Sequence, residues 1–407
     1  MKKLVLGWIG GVTLAVHAAD WPQFLGPDRD GVAAPDEKAI AGAAEAEILW
    51  KRPLGSGFAG PVVMQDRVII FHRQADEMVI EALQAADGKP VWRSSYPSDY
   101  RDSFGFDNGP RAVPAVAGGR IMVHGPEGRV VALAWEDGKQ IWSFDTADEV
   151  GSPQGFFGRA CAPLVMDGKV LLNVGGADGA GIIALDAASG RLLWKATPHE
   201  AGYAAGVAMP GDDSVAAFFT RNGISVIGVA DGRVFADETF RADIDASVNA
   251  ATPLACGQGR LFFSASYDVG GGVWQWDSAS KRLANVWKKV GALDCHYSTP
   301  VAYEGHLYGF HGRQESGATL RCIAAADGGV RWEAPTAVPG GTLIRVKDHL
   351  LVVTEQGELW IVRATPEKFD LLRSTQILGA RHRSHAAFSD GVLYARDASQ
   401  LVAVRVR

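Results

Sequence analysis

Residues Cys295–Glu333 read CHYSTPVAYEGHLYGFHGRQESGATLRCIAAADGGVRWE. Four short apolar or alternating runs lie in this stretch: Ser298–Tyr303, His306–Phe310, Thr319–Ala324 and Gly329–Glu333. Glu304-Gly305, the longer His311–Ala318 and Ala326-Asp327-Gly328 separate them. Strands of about five residues joined by Gly and Asp turns predict a four-stranded antiparallel meander closed by Trp332.

The closing pattern recurs. Ala184-Leu185-Asp186-Ala187-Ala188-Ser189-Gly190-Arg191-Leu192-Leu193-Trp194 is its clearest copy, and further copies end at Trp92, Trp142, Phe235, Trp287, Trp332 and Leu372. The ends follow one another at intervals of 40 to 52 residues. Four strands at that period are the sequence sign of a β-propeller, in which each meander buries its faces against its neighbours. The fold class is therefore all-β, with eight blades; seven follows if Leu359–Leu372 is not a blade. The last three strands, His385–Phe388, Val392–Ala395 and Leu401–Val404, lack a closing Trp, whereas Ile48-Leu49-Trp50-Lys51 is an outer strand without a blade. Pairing these N- and C-terminal strands closes the ring and removes exposed edges.

Three segments are expected: a signal peptide over 1–18, a turn-rich N-terminal segment and linker over 19–47 that packs on one face, and the propeller over 48–407. Lys2, Lys3, an apolar run from Leu4 to Val16 and small residues after it carry the first. The run is short for a bilayer span and no later stretch reaches that length, so an exported, periplasmic or secreted monomer is expected. The net charge of −6, with no basic stripe, argues against nucleic acid. Cys161, Cys256, Cys295 and Cys322 are never adjacent and form no CxxC, so free thiols are expected.

In such a meander the A–B and C–D turns share one face. Their repeated Asp-Gly chemistry is structural. The B–C and D–A loops share the other face, vary in length and hold the uncommon residues. His72, His124, His199, His296, His311, His382 and His385 all map there. Strand A is innermost, so residues just ahead of it should rim the channel. The candidate ligand-binding residues are Arg111, Arg159, Tyr203, Asn249, His296, Tyr297, His311, Arg313, Arg383 and His385, and Phe58 belongs to the same rim. Arg, His and aromatic groups together suit a small anionic or aromatic ligand, or an extended peptide. No catalytic residue is assigned: there is no GxSxG, and the Gly runs lack a strand–loop–helix setting. Neither His382/His385 nor Asp294/His296 has a third ligand nearby, so no metal site is assigned.

The Ala-Leu-Asp-x-x-x-Gly-x-x-x-Trp copy at Ala184–Trp194, the Thr-Pro openings at Thr252-Pro253 and Thr299-Pro300, and Trp-Pro-Gln-Phe-x-Gly-Pro-x-Arg-x-Gly-Val at Trp21–Val32 resemble the PQQ-like repeat proteins, exported bacterial β-propellers. The resemblance covers about 20–407 and implies eight blades. It implies either a non-catalytic scaffold for an envelope protein or peptide, or a quinoprotein alcohol dehydrogenase carrying pyrroloquinoline quinone with calcium. The chain departs from the dehydrogenases in lacking adjacent cysteines and a haem-attachment motif, and from the assembly scaffold in lacking a lipid-attachment Cys. The scaffold is the leading expectation and no cofactor is expected. The quinoprotein, and a hydrolase or lyase built from rim His and Arg, stand behind it.

Overall fold

Alternating short strands and Gly turns can bury their apolar residues only by stacking sheet on sheet, and the computed structural model shows this arrangement. It describes residues 20–40, 45–245, 247–379 and 383–406. The leader expected over 1–18, with Arg381 and His382, lies outside them. Eight four-stranded antiparallel sheets form an eight-bladed propeller. Blades 1 to 7 occupy residues 62–97, 115–145, 164–196, 207–239, 254–289, 301–333 and 341–376. The region on which the seven-blade alternative rested, Leu359–Leu372, lies within blade 7, which is complete. Blade 8 joins Ala387–Ser389, Val392–Arg396 and Gln400–Val406 to Ala46–Pro53 from the start of the chain. Ile48 pairs with Val404 and Trp50 with Ala403, across a bulge.

Burial follows position in the blade. Strand B of blade 7, His349–Thr354, is buried throughout, whereas the outer strand Arg282–Lys289 of blade 5 is mostly exposed. The inner strands of blades 5 and 6 start after Thr252-Pro253 and Thr299-Pro300, because Pro has no N–H to give to the ladder. The Thr serves the neighbouring blade: Thr252 Oγ1 accepts from Ala205 N, and Thr299 Oγ1 accepts from Thr252 N, both at 3.0 Å.

The closing Trp side chains do more than fill outer strands. Trp142 Nε1 donates to Ala187 O of the next blade at 3.1 Å, Trp287 to Ala325 O at 2.8 Å and Trp332 to Thr365 O at 2.7 Å. Each of the first two rings lies on the following C–D turn. Gly190 of that turn has φ of +73°, and a Cβ there would sit 2.6 Å from Trp142. Where Phe235 replaces the Trp, the next turn carries Lys281 at φ 51° instead of Gly. Ring and turn glycine are thus one inter-blade staple.

Residues 20–40 run across the A–B-turn end of the channel as a strap. Trp21 exchanges backbone hydrogen bonds with Val63 of blade 1, and Ala33 N donates to Arg345 O of blade 7. Glu37 accepts from Asp390 N of blade 8 at 2.6 Å. Arg29, 2% exposed, reaches up the channel. It donates to Gly206 O at 2.9 Å, to Pro163 O and to Gln23 Oε1 at 2.8 Å. Burial pulls its pKa down to about 10.

Candidate functional site

With the strap at one end, the channel becomes a blind cavity of about 390 Å³ that opens on the loop-rich face. Loops from several blades build its wall. Phe104, Phe106 and Arg111 lie between blades 1 and 2, Phe156 and Phe157 between blades 2 and 3, and Tyr203 between blades 3 and 4. Tyr267 and the pair His296-Tyr297 come from blade 5 and the loop after it; Arg313 to Glu315 come from blade 6, Arg383 and His385 from the approach to blade 8. Phe24 of the strap also lines it, edge-on to the His385 ring at 4.8 Å.

Short polar side chains hold the aromatic loops in shape. The Asp102 carboxylate accepts from Phe104 N at 2.9 Å and Asp107 N at 3.1 Å, and grips Arg111 at 2.8 Å. The Arg111 guanidinium lies between Phe58 and Phe157, 5.4 and 5.5 Å from their ring centres. Such a cation–π sandwich fixes both rings. Tyr203 Oη accepts from Phe156 N at 2.9 Å and Phe157 N at 3.1 Å. Phe157 is the hub of the patch, within 5.2 Å of Phe104, 5.7 Å of Tyr203 and 6.1 Å of Phe106. Phe104 and Phe106 stand 57% and 60% exposed at the mouth.

The wall is close to electrically neutral. Arg111 is paired with Asp102, Arg383 with Glu355 at 3.2 Å and Arg313 with Glu315 at 3.2 Å. Glu355 also accepts from Tyr297 Oη at 2.7 Å, and burial pushes that phenol well above its usual pKa. His296 faces Tyr267 Oη at 2.9 Å and Gln314 Oε1. Burial lowers its pKa, so the ring is neutral at pH 7.

Of the ten residues singled out from sequence, the structure brings Arg111, Tyr203, His296, Tyr297, Arg313, Arg383 and His385 to the cavity. It does not bring the other three. Arg159 is buried against Glu127 O at 2.7 Å and Ser152. Asn249 Nδ2 donates to Thr220 O and Phe240 O. His311 Nδ1 accepts from Asp294 N at 3.0 Å, and burial drives its pKa down to about 4. All three tie loops together: Arg159 and Asn249 each stand one place before a residue that faces the cavity, Ala160 and Ala250, and alternation turns them away from it, whereas His311 ends the second strand of blade 6. His72, His124 and His199 are buried in the same way, on Glu81, Cys161 O and Thr220.

Sequence reasoning left out the Phe-Gly-Phe and Phe-Phe-Gly loops as site residues. Their signal was available, since large aromatics in turn-rich loops are exposed unless they meet a partner. Phe24 gave no such signal, because nothing local shows that the strap reaches the cavity.

Two chemistries find no support in these side chains. Ser225 Oγ, His199 and Asp237 stand in line at 3.1 Å each, but Ser225 is 0% exposed in the middle of a strand, where no substrate reaches. Pyrroloquinoline quinone with calcium needs free carboxylates for the ion and uncommitted cations for its acid groups. Here the wall carboxylates are bound to arginines, and among the described residues no group of three His, Cys, Asp or Glu could hold a metal. The four cysteines are free thiols. The residues present do not fit that cofactor.

Comparison with known proteins agrees with the architecture. A family model described as outer membrane protein assembly factor BamB matches residues 75–310. The outer membrane protein assembly factor BamB of Burkholderia pseudomallei is 29% identical over 47% of this chain, and the match spans 45% of that relative's length. The quinohemoprotein alcohol dehydrogenase ADH IIB of Pseudomonas putida is 34% identical over 28% of the chain and 16% of its own length. The chain thus spans less than half of the curated relatives it matches. The crystal structure of BamB from Moraxella catarrhalis superposes with a TM-score of 0.65, covering 89% of this chain and 98% of that one, at 15% identity. That likeness is one of fold.

Proposed function

The chain belongs to the family of that model, the PQQ-like repeat propellers, and from this premise we propose that it is a non-catalytic binding or protein-interaction scaffold of the cell envelope. It works through its loop-rich face and the blind cavity there. Its place is the periplasm or the exterior, reached through the N-terminal leader, and its partner is an envelope protein or peptide. The observation that carries this reading is the aromatic mouth: Phe104 and Phe106 lie exposed while Asp102 and Arg111 hold their loop in a defined shape. Organised, solvent-facing aromatic groups around a concavity are what interfaces use as anchors.

The test is affinity capture from envelope extract with the wild type and a Phe104→Ser/Phe106→Ser variant, read by mass spectrometry. Envelope proteins retained by the wild type and lost by the variant are expected. Equal capture by both, or none by either, refutes the reading. Titration with pyrroloquinoline quinone and Ca²⁺ addresses the dehydrogenase; saturable uptake with alcohol-dependent dye reduction would establish catalysis instead.

A further inference from the structure

We propose that the occupant of the cavity is one uncharged aromatic side chain of an extended polypeptide, seated against Phe157 and Phe24, with the flanking chain crossing Phe104 and Phe106. This rests on the scaffold reading above and names the chemistry its site would recognise.

The two buried ion pairs weigh against an anionic occupant, and Arg313 is the one arginine of the wall whose partner, Glu315, is itself half exposed. To use Arg111, an acidic ligand would have to displace Asp102, whose side chain is 0% exposed, and would leave that carboxylate buried without its partner. Arg383 is held in the same way by Glu355, whose side chain is 7% exposed. A neutral His296 adds no positive charge. A cationic ligand meets the converse obstacle, because each nearby carboxylate already carries an arginine. What the wall offers without breaking an ion pair is ring surface, and aromatic rings pair by offset or edge contacts with centroids about 4.5–7 Å apart.

Size and shape choose the source. A cavity of about 390 Å³ is at the small end for a whole ligand but ample for an indole or phenol group. The apolar surface does not stop at the mouth, since Phe104 and Phe106 continue it outward at 57% and 60% exposure. A free aromatic molecule inside the cavity would leave both uncovered. A polypeptide that inserts one side chain covers them with its neighbours.

The experiment is calorimetric titration of the purified protein with the uncharged heptapeptide acetyl-Gly-Leu-Gly-Trp-Gly-Leu-Gly-amide. The same peptide with Leu or with Glu in place of Trp, and N-acetyltryptophanamide, are the comparisons. The Trp peptide is expected to bind at least tenfold more tightly than the other three. Phe157→Leu keeps apolar volume but removes the ring; it should weaken the Trp peptide about tenfold, the equivalent of about 1.4 kcal/mol, while circular dichroism shows the propeller still folded at the titration temperature. A Glu peptide that binds as well as the Trp peptide overturns the inference, as does the absence of binding by any peptide. N-acetyltryptophanamide binding as tightly as the heptapeptide overturns the polypeptide as occupant. If envelope capture persists while peptide binding fails, the scaffold reading stands and this inference falls; loss of both removes both.

Discussion

Arg29→Ala should release the strap while leaving the ring folded. Arg29 makes three hydrogen bonds that bridge Gln23 to the carbonyls ahead of blades 3 and 4. Bonds from a charged group contribute about 1.5–3 kcal/mol each. Burial works against them: a guanidinium pKa pulled from 12.5 to about 10 reflects a desolvation penalty on the order of 3 kcal/mol. The net loss on removing the side chain is therefore about 1.5–6 kcal/mol, and a value of about 3 kcal/mol within that range corresponds to a roughly hundredfold more frequent local opening. The assay is hydrogen exchange by mass spectrometry, following Trp21 N and Ala33 N, which are bonded to blades 1 and 7. Both should lose protection about hundredfold, while amides of the buried strand His349–Thr354 keep theirs. Arg29→Met, which retains the apolar stem, should behave like Ala because the bonds dominate. Unchanged strap protection in Arg29→Ala would refute this reasoning, and so would parallel loss throughout the ring, since the strap would then not be a separate unit.

Other substitutions probe the remaining physics. Trp142→Ala removes a mostly buried ring and its bond to Ala187 O, and should lower the stability measured by urea unfolding by about 3–5 kcal/mol. Gly190→Ala should also destabilise, through its positive φ and the clash with Trp142, and the two changes together should cost less than their sum. His124 is fully buried with its pKa pushed down to about 4, so the unfolded chain binds a proton that the folded one refuses. Stability should therefore fall as pH drops from about 6.5 to about 4, by on the order of 3 kcal/mol from this residue, and His124→Gln should flatten that slope. Asp30 has the opposite sign: burial raises its pKa to about 6, so strap docking should weaken as pH rises through 6. Asp30→Asn should protect strap amides more strongly at pH 7.5 and remove the pH dependence; an unchanged profile would contradict it.

The frame of this molecule can be read from local patterns because each blade repeats the same local solution. Asp-Gly turns, Thr-Pro openings and closing Trp residues each act within one or two blades, so their period marks the blades, and the unpartnered Trp50 strand marks the closure. The site is a different matter. It collects residues from loops hundreds of positions apart, and whether a side chain enters the channel or the gap between blades depends on loop geometry. Tyr203 stands four residues ahead of its inner strand and Asn249 five, and that single place decides the outcome: Asn249 bonds backbone carbonyls away from the cavity, Ala250 faces it, and Tyr203 holds the Phe156-Phe157 loop on its wall. Ion pairing escaped sequence reasoning for the same reason. Arg383 meets Glu355 only after blade 7 has folded, so a rim that looks cationic along the chain is neutral in space. The staple was half legible: the Trp and the Gly were visible in one repeat, but the Trp acts on the Gly of the next.

The most direct test of the aromatic mouth as the partner face is site-specific photocrosslinking in living cells. Benzoylphenylalanine would replace Phe106 at the mouth and, separately, Val286 on the exposed outer strand of blade 5, 43% exposed. Adducts to envelope polypeptides from the Phe106 position alone are the expected result. Equal adducts from both positions, or none from the mouth, would contradict it.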